Sequence, residues 1–182
     1  MNEPIVTSAA TTNPPLILSV WMEASAQRYF NELRKQYFPP ERNFIDAHLT
    51  FFHALPNSDA VLNDIIDAAG NQHRFSAQVS GVVSLGNGTA LKVESPELKS
   101  LHLQLQRKWL TLLTVQDKQG LWPHITIQNK VAPESAHSLQ LQLSNDFQPF
   151  EFEVIGLEVW KYMGGPWELL ERVEFNKPDS LL

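Results

Sequence analysis

The tetrapeptide His48-Leu49-Thr50-Phe51 is followed 76 residues later by a chemically similar one, His124-Ile125-Thr126-Ile127. Side chains alternate between the two faces of a β-strand, so in each copy the histidine and threonine share one face and the two apolar residues share the other. With 6 histidines and 43% apolar residues in the chain, composition predicts only about 0.05 such tetrapeptides by chance. The two copies therefore indicate a paired site carried by two strands.

The composition is that of an ordinary globular protein. A chain of 182 residues with 43% apolar and 19% charged residues can bury one sizeable core. No apolar run approaches the roughly 20 residues of a membrane-spanning helix, and the N-terminus lacks the pattern of a secretory signal. We therefore expect a cytoplasmic protein without a membrane partner. The lack of cysteine excludes disulfides, cysteine nucleophiles and thiolate metal sites.

The net charge limits the kind of nucleic-acid contact that the protein can make. A formal charge of −6 argues against a broad electrostatic grip on nucleic acid, because neutralising many phosphates needs a basic surface. A single phosphate needs only a few well-aimed donors. A small or terminal phosphate therefore remains possible as a ligand, and we expect a monomer.

The apolar pattern predicts one folded domain over residues 16–176, preceded by a leader (1–15) and followed by a short tail (177–182). Strand and helix signals alternate in the same order in 16–85 and 89–176. The motif histidines and the helix starts after them (58 and 134) are both 76 residues apart, and the preceding helix starts (23 and 96) are 73 apart. Agreement within boundary error predicts a duplicated β-α-β-α-β unit.

Two histidines that face one cleft suit a reaction in which one proton is removed and another is delivered. A pKa near 6.5 makes both protonation states accessible around neutral pH, so one ring can be the base and the other the acid. The threonine hydroxyls can donate hydrogen bonds to phosphate oxygens as charge shifts in the transition state. The pattern predicts phosphate chemistry without a covalent intermediate.

Paired His-x-Thr-x tetrapeptides on the strands of a duplicated α+β chain resemble the two-histidine phosphoesterase superfamily, over nearly all of residues 16–175. That superfamily includes the LigT-like 2′-5′ RNA ligases and the cyclic phosphodiesterases. The resemblance implies a bilobal α+β fold, with two antiparallel-rich sheets around a central cleft and helices outside. It implies that His48 and His124 are the catalytic pair, and that Thr50 and Thr126 bind phosphate. The implied ligand is a nucleotide or RNA terminus with a cyclic phosphate or a 2′-5′ linkage.

Strand alternation nominates further cleft residues. Phe52 is expected on the face of the first motif, and Trp122 and Lys130 on the face of the second. Phe52 or Trp122 could stack on a base, although a strand aromatic is more often core. Lys130 could neutralise phosphate, but a solvated edge lysine explains it equally well. A second stacking candidate is the aromatic cluster around the last turn, Trp160, Tyr162 and Trp167.

The other histidines do not predict a metal site. His53 is five residues after His48, which places it on the opposite face of a regular strand. His73, His102 and His137 show no paired ligand spacing. We therefore expect neither a metal nor a cofactor.

Three functional hypotheses remain open from the sequence. The first is a phosphodiesterase that opens 2′,3′-cyclic phosphates, or cleaves or joins 2′-5′ phosphodiesters, on nucleotides or RNA ends. The second is a non-catalytic nucleotide or RNA-end binding module of the same fold, suggested by the acidic charge. The third is a structural protein whose His-Thr pairs only stabilise strands, and the chance calculation counts against it.

Overall fold

Seven strands and four α-helices occur in residues 13–176, which are the residues that the computed structural model describes. The strands are β1 (Leu16–Met22), β2 (Thr50–Leu55), β3 (Phe75–Ser84), β4 (Thr89–Glu94), β5 (His124–Gln128), β6 (Phe150–Tyr162) and β7 (Trp167–Glu174). The helices are α1 (Ala24–Tyr37), α2 (Asp59–Gly70), α3 (Pro96–Lys108) and α4 (Pro133–Asn145), with a short 3-10 helix at Pro40–Arg42. The α+β class is confirmed. Most of the predicted leader (1–12) and the predicted tail (177–182) lie outside the described residues.

Local sequence explains where the helices begin. The Ser58 hydroxyl accepts a hydrogen bond from the Val61 N–H at the start of α2, and the Ser95 hydroxyl does the same at the start of α3. Such caps satisfy backbone donors that have no partner within the helix. Proline occupies the first turn of α3 and of α4, where no N–H is needed. The apolar spacing after Pro133 favours a helix over a strand, and α4 confirms this prediction. Within residues 13–176, none of the helices is long and apolar enough to cross a membrane.

All strand pairs are antiparallel, and the strands form one sheet in the order β2-β1-β6-β3-β4-β5, with β7 also paired to β6. The expectation of two separate sheets is therefore corrected. The reason is the 13-residue length of β6, since its first residues pair with β3 while the rest pair with β7 and β1 runs along its other edge. One long strand thus joins what would otherwise be two sheets. The motif strands β2 and β5 stand at the two ends of the path.

The strand order within the sheet has an internal correspondence. The sequence strand, helix, strand, helix, strand occurs as β1-α1-β2-α2-β3 and again as β4-α3-β5-α4-β6. In each half the first strand pairs with the second, and the two third strands pair with each other. This order agrees with the predicted units 16–85 and 89–176. Their origin by duplication stays a prediction.

In both motif strands, the residue after the threonine is bulged out of the pairing. Consecutive residues of β1 face Thr50 and Phe52, which leaves Phe51 as an extra residue. Consecutive residues of β4 face Thr126 and Gln128, which again leaves one extra residue between them. A bulge reverses the alternation of faces beyond it. The regular alternation expected after each threonine is therefore wrong. The apolar pattern predicts motif strands over about 44–53 and 122–130, and both observed strands are shorter.

The apolar positions of both tetrapeptides lie in the core. Leu49, Ile125 and Ile127 are fully buried, and Phe51 is 2% exposed. Complete burial of such a side chain is worth about 1.5 to 3 kcal/mol. This burial fixes the polar positions of the motifs on the other side of the backbone.

The alternating apolar residues change phase between 150–154 and 155–159, which predicts a bulge near Gly156. A register shift between β1 and β6 beside this residue confirms it. A Cβ atom at Gly156 would lie 2.3 Å from the carbonyl oxygen of Val173 on β7. Glycine is therefore required where β6 is paired along both edges. The run Gly164-Gly165-Pro166 predicts a turn. The turn is confirmed, because the Met163 N–H donates to the carbonyl of Pro166 and closes the β6–β7 hairpin.

Candidate active site

The four polar motif residues line one cavity of about 240 Å³. Thr50 reaches it from the start of β2 and His48 from two residues before that strand, while His124 and Thr126 reach it from β5. These strands are the two ends of the sheet path, so the sheet must curl for them to meet. The remaining wall comes from Phe51 and His53 of β2, from α3 and from the segment 116–122 that follows α3.

The two histidine rings are held in the same way. Nδ1 of His48 lies 2.8 Å from the carbonyl oxygen of Asp46, and Nδ1 of His124 lies 2.8 Å from the carbonyl oxygen of Trp122. A carbonyl can only accept, so Nδ1 must carry the proton and donate it. In a neutral ring, Nε2 is then the acceptor. Within the described residues, neither Nε2 forms a hydrogen bond, and both are available to a ligand.

Each histidine also contacts a tryptophan. The ring centroids of His48 and Trp167 are 4.5 Å apart, and those of His124 and Trp122 are 4.6 Å apart. Trp122 lines the same cavity as His124, and Trp167 lines a neighbouring cavity that His48 also contacts. Trp122 is 49% exposed. Flat apolar surface is therefore present beside both rings.

The electrostatic environment of His48 is strongly perturbed. Burial is the main cause that lowers its pKa to about 4; the interactions with Arg34 and His124 act in the same direction, and the hydrogen bond to the Asp46 carbonyl acts in the opposite direction. Desolvation disfavours the charged form of an imidazole. His48 is therefore neutral at pH 7, with a free acceptor at Nε2.

A buried arginine connects the two motif segments. Arg34 of α1 is 4% exposed, and its Nη1 donates to the carbonyl of Thr126 at 2.9 Å. Its Nε donates to Asn43 Oδ1 at 2.8 Å and to the Ile45 carbonyl at 3.1 Å. Burial lowers its pKa to about 10, with Asp46 acting in the opposite direction, so the guanidinium stays charged at neutral pH. Arg34 thus fixes the chain before His48 relative to the second motif strand.

Arg34 was not found by reading the sequence for motifs. A signal was present, because buried positions of α1 recur at 26, 30 and 34, a helical spacing of four. The third of these positions is charged. An arginine on the apolar stripe of a helix needs buried acceptors, and the backbone around both motifs supplies them.

Phe52 does not line the cavity. It is fully buried, with its ring stacked on His102 at 4.5 Å and edge-on to Trp109 at 5.3 Å. The bulge at Phe51 turns it to the core face. The expectation that Phe52 could stack on a base is therefore wrong, and its alternative, a core aromatic, is the structural role.

Lys130 also lies away from the cavity. It follows the end of β5 in a left-handed conformation with φ of 58°, and its side chain is exposed. The backbone has left the strand, so face alternation no longer applies to it. The solvated lysine weighed as its alternative is what the structure contains.

His53 lines the cavity, contrary to the prediction that it occupies the opposite face. The same bulge that buries Phe52 places His53 on the strand face that lines the cavity, together with Thr50. Its Nδ1 lies 2.9 Å from the buried carboxylate of Asp117. His102 lines the cavity as well, so four of the six histidines of the chain surround one space.

A sequence model of the 2′-5′ RNA ligase superfamily matches residues 22–166. The chain belongs to this superfamily. The match covers both tetrapeptides, and the resemblance to LigT-like two-histidine phosphoesterases is confirmed. A comparison with curated proteins finds no match.

Solved structures show the same fold as this superfamily member. TT0787 of Thermus thermophilus has a TM-score of 0.60 at 16% identity, over 90% of this chain and 98% of that one. Escherichia coli LigT in complex with 3′-AMP has a TM-score of 0.61 at 16% identity, over 91% and 99%. LigT in complex with phosphate has a TM-score of 0.56 at 17% identity, over 92% and 100%. The chain therefore spans nearly the whole of these proteins.

A second cavity of about 290 Å³ lies beside the first, and His48 lines both of them. Its walls are aromatic at Trp160 and Trp167, while Tyr162 of the predicted cluster does not contribute. Glu158 also lines this cavity. Burial raises the pKa of its carboxyl group, and the hydrogen bond from Arg172 at 2.9 Å acts in the opposite direction. This cavity combines flat apolar walls with buried hydrogen-bond acceptors.

Among residues 13–176, no group of three or more potential ligand side chains is arranged to hold a metal ion. That the protein needs no metal stays a prediction, which an activity assay in excess chelator can test.

Proposed function

We propose that this superfamily member opens 2′,3′-cyclic phosphates, or cleaves or joins 2′-5′ phosphodiester bonds, on nucleotides or RNA ends. The observation that carries the proposal is the common cavity of two histidines, each with an unengaged Nε2, and two threonine hydroxyls. A base, an acid and two neutral donors around one space are what an in-line displacement at phosphorus requires. The proposed reaction uses no metal and no cofactor.

His48 is the proposed general base and His124 the proposed general acid. In ring opening, Nε2 of His48 accepts a proton from water as the water oxygen bonds to phosphorus. The bond from phosphorus to one ribose oxygen breaks, and His124 delivers a proton to that oxygen from Nε2. The lowered pKa of His48 supports its role, because a base must be unprotonated before the reaction. Each such group typically contributes about 10² to 10⁴ in rate.

The proposed roles of Thr50 and Thr126 follow from charge. The non-bridging phosphate oxygens gain negative charge in the transition state, and hydroxyl donors at fixed positions stabilise it. Both threonines are hydrogen-bond donors from ordered strands rather than from loops. We propose that they bind the same phosphate from opposite ends of the sheet.

The aromatic surfaces beside the histidines support a nucleotide as substrate. Stacking on an aromatic side chain is worth about 1 to 3 kcal/mol per base. Trp122 and Trp167 are the proposed stacking surfaces. The crystallisation of LigT with 3′-AMP, NADP+ and ATP is consistent with this ligand class. A cytoplasmic, monomeric protein remains part of the proposal.

A non-catalytic binding module is the second candidate. The observation that favours it is the absence of lysine and arginine from the cavity wall in the described part of the chain. Calorimetry separates the two candidates. Stoichiometric binding of a nucleoside 2′-phosphate, with no hydrolysis of the cyclic substrate on long incubation, would identify a binder.

The test of the enzyme uses pure protein, nucleoside 2′,3′-cyclic phosphates and excess chelator. The full chain should turn over, and H48A and H124A should each lose about 10² to 10⁴ in kcat. H137A is the matched control, because His137 is exposed on α4 and outside the cavity. Unchanged turnover in H48A or H124A would refute the proposal, and loss of activity in chelator would refute its metal independence.

A further inference from the structure

His53 is, with His102, one of the two cavity histidines that the proposed reaction does not use. Its side chain is 50% exposed, whereas that of its partner Asp117 is 1% exposed. Nδ1 of His53 is engaged by the carboxylate at 2.9 Å. Within residues 13–176, Nε2 of His53 has no hydrogen-bond partner. The ring is thus fixed by a buried group and presents one nitrogen to the cavity.

Asp117 is held tightly enough to orient that ring. Its carboxylate accepts from the backbone N–H groups of His53 and Ala54 at 2.9 and 3.0 Å, and from the Thr114 hydroxyl at 3.3 Å. Burial alone would raise its pKa, but the hydrogen bonds from His53 and from these N–H groups outweigh it and lower the pKa. Asp117 is therefore ionised at neutral pH, with its charge shared among these donors.

The groups that face His53 identify the ligand class. His48 and His102 have pKa values lowered by burial, His124 is the fourth histidine, and Asp117 is the one acidic residue in the described cavity wall. When both ring nitrogens of a histidine carry protons, one can donate to a carboxylate and the other to a phosphate oxygen. This end of the cavity suits an anion.

The position of His53 on β2 separates that anion from the reacting phosphate. His53 is three residues beyond Thr50, which at about 3.3 Å per residue is roughly 10 Å along the strand, less the bulge. This exceeds the reach of one phosphate group bound at Thr50. It suits a phosphate on the 5′ side of the same ribose, either as a terminal 5′-phosphate or as the phosphodiester to a preceding nucleotide.

We propose that His53, oriented by Asp117, binds a second phosphate of the substrate, on the 5′ side of the ribose whose 2′,3′ end lies at His48 and His124. This inference rests on the proposed function for the orientation of the substrate. It implies that the protein binds 5′-phosphorylated or chain-terminal nucleotides in preference to nucleosides with a single cyclic phosphate.

Equilibrium binding tests the inference without turnover. Calorimetry at fixed low salt compares adenosine 2′-monophosphate, adenosine 2′,5′-bisphosphate and a dinucleotide that ends in a 2′-phosphate. The full chain should bind at least one doubly phosphorylated probe about tenfold to a hundredfold more tightly than the monophosphate, as expected of one charge-assisted hydrogen bond. Preference for the bisphosphate identifies a 5′-phosphate as the ligand, and preference for the dinucleotide alone identifies a chain phosphodiester. Equal affinity for all three would overturn the inference.

Two variants assign the preference to the His53–Asp117 pair. H53Q should bring the affinity ratio close to one, and D117N should reduce it, whereas H137Q should keep it. An affinity ratio that is unchanged in H53Q would overturn the inference. His53 would then only hold the segment 109–123 in place through Asp117. If H53Q fails to fold, the ¹⁵N chemical shift of His53 Nε2 in the unaltered chain decides. It should move on addition of the doubly phosphorylated probe and not of the monophosphate, and no difference between them would overturn the inference.

These outcomes are separate from those of the proposed function. A protein that shows the binding preference but no turnover of cyclic nucleotides would support the second phosphate site and refute the enzyme. Turnover with no preference among the probes would do the reverse.

Discussion

The His48 and His124 ends of the cavity share their geometry and differ in their surroundings. Both rings donate from Nδ1 to the carbonyl two residues earlier, at 2.8 Å, and both contact a tryptophan. Burial lowers the pKa of His48 to about 4, with Arg34 among the further causes, while His124 lies beside a tryptophan that is 49% exposed. Equivalent strands thus orient the two rings alike, while the pKa of His48 is set by its burial.

The largest predicted effect is the loss of either histidine. H48Q and H124Q should each lower kcat for a nucleoside 2′,3′-cyclic phosphate by about 10³, because each removes one proton transfer. The double variant should be little slower than either single variant, since base and acid act as a unit. Steady-state kinetics on all three variants provide the measurement. Independent, multiplicative losses would show that the two ends of the cavity do not act on one phosphate.

Arg34 is expected to matter for stability more than any other residue on the His48 side. R34M should reduce the free energy of unfolding by about 3 kcal/mol, because it leaves two backbone carbonyls and the Asn43 side chain without their donor. R28M is the matched control, since Arg28 is exposed on the same helix. Urea denaturation gives both values. Equal stability of the two variants would mean that Arg34 does not fasten the motif segments together.

The two threonines should have equal effects if they bind the same phosphate. T50V and T126V keep the shape of the side chain and remove the donor, and each should lower kcat/KM by about 10 to 10². Steady-state kinetics with the same cyclic nucleotide give the ratio of the two losses. A large loss in one variant and none in the other would contradict a phosphate shared between the strands.

The smallest predicted effect is on the pH dependence. Trp167 packs on His48, so W167A should admit water and raise the pKa of His48 from about 4 toward its usual 6.5. A base must be unprotonated, so activity is lost as the pH falls through its pKa. The acid limb of kcat/KM should therefore shift to higher pH by about one unit in W167A. W122A is the paired control and should leave this limb in place. A shift in W122A and none in W167A would reverse the assignment of base and acid.

The parts of the molecule that depend on local sequence were predictable. The tetrapeptides located both motif strands, Ser95 and Pro96 marked the start of α3, and Gly156 marked the irregular point of β6. Each of these features acts within a few residues, through alternation, capping or a backbone that has no room for a Cβ atom.

The parts that depend on pairing were not predictable. The bulge at Phe51 is set by the register between β1 and β2, and it exchanged the expected faces of Phe52 and His53. The union of two expected sheets into one depends on β6 pairing along both edges. Arg34 is paired with carbonyls 11 and 92 residues away. A single sequence records none of these partners.

A crystal structure with a bound nucleoside 2′-phosphate tests the central claim most directly. We predict that Nε2 of His48, Nε2 of His124 and the hydroxyls of Thr50 and Thr126 all lie within about 3.2 Å of oxygens on the same phosphate group. A phosphate bound by only one of the two tetrapeptides, or bound outside the cavity between them, would contradict the account.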